Sequence, residues 1–128
     1  MQYTIQNEVF TVVIDSKGAE LSSMKSRASG TEYVWQADPS IWARHAPILF
    51  PIVGRLKDKT YTVGGKEYTI TQHGFGRDLE FACTAQTETS IDFMNITANG
   101  AYELFHNFFL LYDTHNTVLS LSLWTLLY

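Results

Sequence analysis

The sequence predicts an all-β, antiparallel fold, either a β-sandwich or an open and strongly curved sheet. Short β-rich runs recur along the chain, with turn signals roughly every dozen residues. No segment keeps a 3.6-residue apolar period between a helix cap and a helix stop, so we expect little helix. The 128 residues fit one domain spanning 1–128, which is long enough to bury a core.

The first hairpin is predicted around the turn Asp15-Ser16-Lys17-Gly18. Residues 9–14 are largely apolar in both alternating sets, which is typical of a strand covered on both faces. The chain should return through a strand at 19–25. Further strands are predicted at 90–97 and, as a pair, at 108–112 and 118–124.

The clearest local signal is Gly64-Gly65, which lies between two β-rich arms. Two glycines supply the positive φ angles that a two-residue hairpin turn needs. The turn also sets the register of the arms. Val63 should face Lys66, and Tyr61 should face Tyr68 as an aromatic pair across the strands.

One long segment, Trp35 to Leu56, breaks the strand pattern. It contains all three prolines, two of the three tryptophans and no alternation. We therefore predict a long structured loop, and loops of this length in compact domains are usually functional.

The charge and the single cysteine limit the binding partners and the cellular location that we expect for this protein. Nine Lys and Arg against thirteen Asp and Glu give a net charge of −4 without a basic block, so no nucleic acid is expected. The single Cys83 cannot form an internal disulfide, and its strand context predicts a buried, inert thiol. The first ten residues lack a secretion signal, so a cytoplasmic location is expected. The apolar stretch 105–128 is interrupted by polar residues and is not predicted to enter a membrane.

The best candidate site joins the end of the long loop to the turn after the hairpin. Because the hairpin leaves the loop and returns, Arg55 should lie close to His73. Arginine supplies a rigid fork of donors for oxygen atoms, and histidine can donate or accept a proton near neutral pH. Trp42 and Phe50 could add an apolar wall, the mixture that small-molecule pockets, including those for sugars, combine.

Structural roles for the same residues stay open at this point. His73 precedes a glycine and could be a turn residue. Arg55 could cap the loop or pair with Asp58 or Glu80. Arg77-Asp78 is expected to form a local ion pair of little energetic weight if exposed.

No metal or organic cofactor is expected. The chain has no phosphate-binding glycine loop and no nucleophile elbow. The remaining histidines show neither metal-ligand spacing nor a cysteine nearby: His45, His106 and His115.

Three motifs follow one another in order: APILFPIVGRL at 46–56, GKEY at 65–68 and QHGFGRD at 72–78. Together they resemble the aldose 1-epimerase family, with the LacX-type bacterial branch as the nearest. Segments 18–21 and 32–36 also fit, so the resemblance covers roughly residues 1–112.

The resemblance implies a galactose mutarotase-like β-supersandwich with an open cleft for a hexose. It implies an isomerase that interconverts the α and β anomers by acid-base ring opening, without a metal or organic cofactor. Arg55 matches the family's substrate-binding arginine. His73 matches its first conserved histidine, a substrate-binding and catalytic residue. Gly76 stands where alanine is common, and Arg77-Asp78 matches the tail of the motif.

The family pattern is incomplete in this chain. The resemblance also implies a second histidine as general acid and a later glutamate as base, and neither has a counterpart here. The chain is therefore expected to be an N-terminal, truncated portion that is weak or inactive alone. A non-catalytic carbohydrate-binding domain and a relic fragment are the alternatives. Unpaired strand edges would favour self-association.

Overall fold

A computed structural model of the chain describes residues 1–96, 107–114 and 120–126. These ranges contain nine β-strands, arranged in three antiparallel sheets, and two short 3-10 turns, at Lys57–Lys59 and Gly76–Asp78. The predicted all-β, antiparallel class is confirmed. In the same ranges, no helix is long and apolar enough to span a membrane.

The first sheet has the order β1-β2-β3 and contains the predicted first hairpin. Its strands are β1 (Gln2–Gln6), β2 (Phe10–Asp15) and β3 (Glu20–Ser26). Val12 and Ile14 of the central strand are fully buried, whereas Thr11 and Val13 on its other face are half-buried. This pattern places the stronger core contact on one face of β2.

The second sheet is the Gly64-Gly65 hairpin, formed by β4 (Thr60–Val63) and β5 (Lys66–Thr69). Its register is the predicted one, with Tyr61 opposite Tyr68 and Val63 opposite Lys66. The two tyrosine rings stack with centroids 5.3 Å apart and planes 19° from parallel. Cross-strand aromatic contact of this kind stabilises a two-stranded hairpin, and Tyr61 also packs against the core.

The third sheet runs in chain order, β6-β7-β8-β9. Its strands are β6 (Ala82–Gln86), β7 (Ser90–Ile96), β8 (Asn107–Asp113) and β9 (Ser120–Leu126). The predicted pairing of the last two strands is confirmed, with Phe108 opposite Thr125 and Tyr112 opposite Leu121.

The core lies where the first and third sheets meet. Tyr3 of β1 packs edge-on against Phe93 of β7, with ring centroids 5.3 Å apart. The backbone N–H of Gln6 also donates to the carbonyl of Glu88 at 2.6 Å. The buried apolar residues are Ile5, Val12, Ile14, Ala19, Ile70, Phe75, Phe81, Ile91 and Phe93.

Two expectations about irregular regions have different outcomes. Residues 35–56 contain neither helix nor strand, so the predicted long loop is confirmed. Cys83 is half-buried and its thiol donates to the Ala85 carbonyl at 3.5 Å, so the expectation of a buried thiol was wrong. The reason is that, within the described ranges, β6 pairs only with β7 and has an irregular register between Cys83 and Ala85, which leaves it partly uncovered.

Candidate functional site

His73 is fixed where the hairpin returns to the end of the long loop. Its backbone N–H donates to the Gly54 carbonyl at 2.7 Å, and the Gly54 N–H donates back to His73 Nδ1 at 2.9 Å. The φ angle of His73 is 66°, a left-handed conformation that histidine adopts more readily than most residues. Both the backbone and the ring of His73 are therefore hydrogen-bonded to Gly54. The segments on either side of the hairpin meet at these two residues.

This contact selects a tautomer of the His73 ring. Because Nδ1 accepts a hydrogen bond from an amide, the neutral ring carries its proton on Nε2. The Gln72 side-chain nitrogen lies 3.2 Å from Nε2, and two N–H donors cannot satisfy each other. The Nε2–H group needs an oxygen acceptor. This can be the Gln72 amide oxygen, after a 180° flip of the amide, or the hydroxyl of a ligand.

His73 lines an open hollow of about 560 Å³. The volume lies within the range of small-molecule sites, roughly 300–1,000 Å³. Trp42, which is 50% exposed, offers a flat apolar face at its edge. The other lining residues are Ala46, Pro47, Leu49, Gln72 and Arg77. The hollow thus combines apolar surface with N–H donors.

The predicted apolar wall is only partly present. Trp42 lines the hollow, and its carbonyl accepts the indole N–H of Trp35 at 2.8 Å, which fixes this part of the loop. Phe50 is instead half-buried beneath the turn and packs edge-on against Phe75, with ring centroids 6.2 Å apart. The prediction for Phe50 as a wall of the site was therefore wrong, because its ring belongs to the core contact.

Arg55 points to a different part of the surface. Its side chain is exposed and lines a separate hollow of about 680 Å³ with Leu56, Lys57, Asp58 and Lys59. The end of the loop and the turn after the hairpin meet at Gly54, as expected. The side chains of Arg55 and His73, however, line different hollows. Asp58 is the carboxylate in that lining, and its pairing with Arg55 stays a prediction.

Arg77 is the site residue that sequence reasoning assigned a structural role only. The predicted ion pair is confirmed, with Arg77 Nε 3.7 Å from Asp78 Oδ2. The same guanidinium also donates from Nη2 to the Gln72 carbonyl at 2.8 Å and lines the His73 hollow. The only sequence signal for this was its place four residues after His73 in the motif.

The turn that carries His73 lies directly against the end of the loop. The Phe50 carbonyl accepts the N–H groups of Phe75 at 2.9 Å and of Gly76 at 3.1 Å. Gly74 forms a parallel bridge with Phe50 at a φ of 73°, so the backbones touch without a side chain between them. Among the described residues, no group of three or more His, Cys, Asp or Glu side chains could hold a metal ion.

Comparison with known proteins gives the family. The sequence profile described as Aldose 1-epimerase matches residues 1–112. The chain belongs to the aldose 1-epimerase family. It is 38% identical over 102 residues to the chromosomal LacX protein of Lactococcus lactis subsp. lactis, covering 73% of this chain and 32% of LacX. The plasmid LacX protein of the same organism is 40% identical over 98 residues, with the same coverage.

Solved structures show the same relationship within the aldose 1-epimerase family. A galactose mutarotase related enzyme from Lactobacillus acidophilus matches with a TM-score of 0.90 and 42% identity, over 99% of this chain and 44% of that one. A galactose mutarotase-like protein from Lactobacillus casei matches with a TM-score of 0.89 and 33% identity, over 96% and 43%. The chain therefore has the galactose mutarotase-like fold over part of the relatives' length. It spans about a third of the curated relatives and under half of these structures.

Proposed function

We propose that the His73 hollow binds an aldose, in the manner of an aldose 1-epimerase-like carbohydrate isomerase. The observation that carries the proposal is the reciprocal contact between Gly54 and His73, which fixes a histidine that carries its proton on Nε2 in the lining of a hollow of small-molecule size. Family membership supports the substrate class, since the family is described by its action on aldoses. A hexose such as galactose is the first ligand to test.

Each part of the hollow has a role that suits a pyranose. His73 Nε2–H donates to a sugar oxygen and stabilises charge at the ring oxygen as the ring opens. Trp42 covers the apolar face of the sugar ring. Arg77 adds a cationic donor on the other side. Arg55, which directly follows Gly54, stays a proposed binding residue for groups of the ligand that extend past Gly54.

Binding is supported more strongly than catalysis. Anomer interconversion by general acid-base catalysis needs two opposed proton carriers. In the described ranges, the lining of the His73 hollow includes one histidine and no carboxylate. A non-catalytic carbohydrate-binding role is therefore the second candidate. For the first candidate, the isomerase, the missing base must come from outside the described residues.

The test is a galactose titration followed by saturation-transfer NMR, with His73→Asn as the main variant. Asparagine tolerates the left-handed backbone, and its Oδ1 can accept the Gly54 N–H, but it has no atom in the place of Nε2. We expect His73→Asn to weaken galactose binding about three- to tenfold, the effect of one neutral hydrogen bond.

The matched control is His45→Asn, which makes the same change at a half-buried histidine outside this hollow. It should leave galactose binding unchanged. The proposal would be contradicted if the unmodified chain showed no saturable galactose binding, or if both variants weakened binding equally.

A further inference from the structure

A buried carboxylate of the first sheet holds one rim of the His73 hollow from behind. Glu20, the first residue of β3, is 8% exposed. Its Oε1 accepts the backbone N–H of His45 at 2.7 Å and of Ala46 at 3.1 Å. Ala46 lines the hollow beside His73. The position of this rim is therefore set by a hydrogen-bonded contact that lies outside the hollow.

Arg44 extends the same set of contacts to Arg77, another residue that lines the His73 hollow. Its Nη1 lies 3.9 Å from Glu20 Oε2 and donates to the Arg77 carbonyl at 3.2 Å. Its Nη2 donates to Asp78 Oδ1 at 2.5 Å. Arg77 in turn donates to the Gln72 carbonyl. A continuous polar path thus joins the first sheet to the turn that carries the histidine.

These groups surround a second, smaller hollow of about 370 Å³. Arg77 lines both hollows, so its side chain is part of the wall between them. The charges of the smaller hollow are mixed, which favours a supporting structure over a site for one class of ion. Its lining consists of Asp15, Lys17, Glu20, Ala43, Arg44, His45 and Arg77.

We propose that Glu20 and Arg44 are positioning residues for the sugar hollow. Glu20 fixes the Ala46 rim, and Arg44 links Glu20 to Arg77, which lines the hollow, and to the neighbouring Asp78. In the described part of the chain neither residue lines the His73 hollow, so both act through residues that do. The inference rests on the proposed function, because it concerns the same hollow as a sugar site.

Glu32 provides a matched control for a merely structural effect. Its Oε1 accepts the backbone N–H of Met24 at 2.8 Å and of Val34 at 3.0 Å, a pair of contacts like those of Glu20. It also lies against β3, but none of its partners, Ser23, Met24 and Val34, lines the His73 hollow. Glu20→Gln and Glu32→Gln therefore remove the same charge from similar backbone contacts. Only the contacts of Glu20 include a residue that lines the hollow, Ala46.

The experiment compares Glu20→Gln, Arg44→Lys and Glu32→Gln in the full chain, with two readouts. The first is galactose affinity. The second, without sugar, is hydrogen exchange of the Gly54 amide, which donates to His73 Nδ1 and touches none of the substituted residues. Lysine keeps the charge of Arg44 but cannot make its forked contact to Arg77 and Asp78.

We expect Glu20→Gln and Arg44→Lys each to weaken galactose binding about tenfold, as the loss of a charge-assisted contact would. Both should also speed exchange at Gly54 more than Glu32→Gln does, and Glu32→Gln should leave galactose affinity unchanged. Equal effects of Glu20→Gln and Glu32→Gln, or no effect of the first two variants, would overturn the positioning role.

Failure of the proposed function would be recognised separately. If the unmodified chain binds no galactose, exchange at Gly54 decides the positioning role alone. Faster exchange in Glu20→Gln than in Glu32→Gln would support it, and equal exchange in the two variants would overturn it. Arg44→Lys keeps the test valid if Glu20→Gln does not fold, because Arg44 is partly exposed.

Discussion

At the scale of single residues, Gly74 determines how closely the turn can approach the loop. Its φ is 73°, and a Cβ at this position would lie 2.0 Å from the Phe50 carbonyl oxygen. The same carbonyl accepts two amides of the turn, so Phe50 cannot move away without breaking both bonds. Gly74 thus supports His73 from the next position in the chain.

Gly74→Ala is predicted to destabilise the protein well beyond the cost of its backbone conformation. The left-handed backbone alone costs an alanine roughly 1–2 kcal/mol, and the clash with Phe50 adds to that. The measurement is the free energy of unfolding in urea. Gly30→Ala is the control, because Gly30 has a φ of 72° and nothing within 4 Å of its Cβ position. Equal losses in the two variants would show that the contact with Phe50 carries no strain.

Single residues were predictable where the motif itself was unusual. His73 stands out in the sequence because it lies in the QHGFGRD motif at 72–78, which resembles the aldose 1-epimerase family. The orientation of Arg55 was not predictable, since neighbouring backbone positions say nothing about where a long side chain extends. The part that Arg77 has in the hollow was hidden for a similar reason. Its adjacent Asp78 suggested a complete local pair.

At the scale of elements, Glu32 fastens the segment after β3 back onto that strand. The Ser23 hydroxyl donates to its Oε2 at 2.5 Å, in addition to the amides of Met24 and Val34. Burial raises the pKa of Glu32, but these hydrogen bonds and the charge of Lys25 outweigh it, so the pKa is lowered from 4.5. The ionised form is therefore favoured by folding.

Acid should weaken the fold partly through Glu32. Because its folded pKa is below the unfolded value of 4.5, the stabilisation is complete above 4.5 and is lost as the pH falls through the folded pKa. We predict that Glu32→Gln flattens the fall in unfolding free energy below pH 4.5. Urea unfolding of both proteins from neutral to acidic pH measures this. Parallel curves would contradict the assignment.

The elements whose structure is determined by neighbouring residues were predicted best. The Gly64-Gly65 turn fixes its own register, so the pairing of Tyr61 with Tyr68 followed from the sequence. The bridge between Phe50 and Gly74 joins distant parts of the chain and has no periodic signal, so it could not be predicted. The packing of β1 against β7 is non-local in the same way.

At the scale of the whole molecule, the third sheet ends in β9. Within the described residues this strand pairs on one side only, with β8. The chain also spans 44% of the Lactobacillus acidophilus relative, whose fold it shares. A sheet edge with free backbone groups can pair with another chain. That the chain forms one domain over 1–128 and works in the cytoplasm stays a prediction.

Self-association is predicted to increase with protein concentration. A dimer or larger species should appear by light scattering as the concentration is raised, because the outer edge of β9, unpaired within the described ranges, offers N–H and C=O groups to a second copy. Dilution should reverse it. A single monomeric mass at all concentrations would show that this edge is protected.

The central claim is that the chain supplies a sugar-binding wall with one proton carrier, His73. The measurement that tests it most directly is the exchange rate between α- and β-galactose by proton NMR, at galactose concentrations that saturate the chain. We predict that the chain leaves this exchange rate equal to the rate in buffer alone. An acceleration of about 100-fold or more that disappears in His73→Asn would contradict the claim, because it would require a second proton carrier in the site.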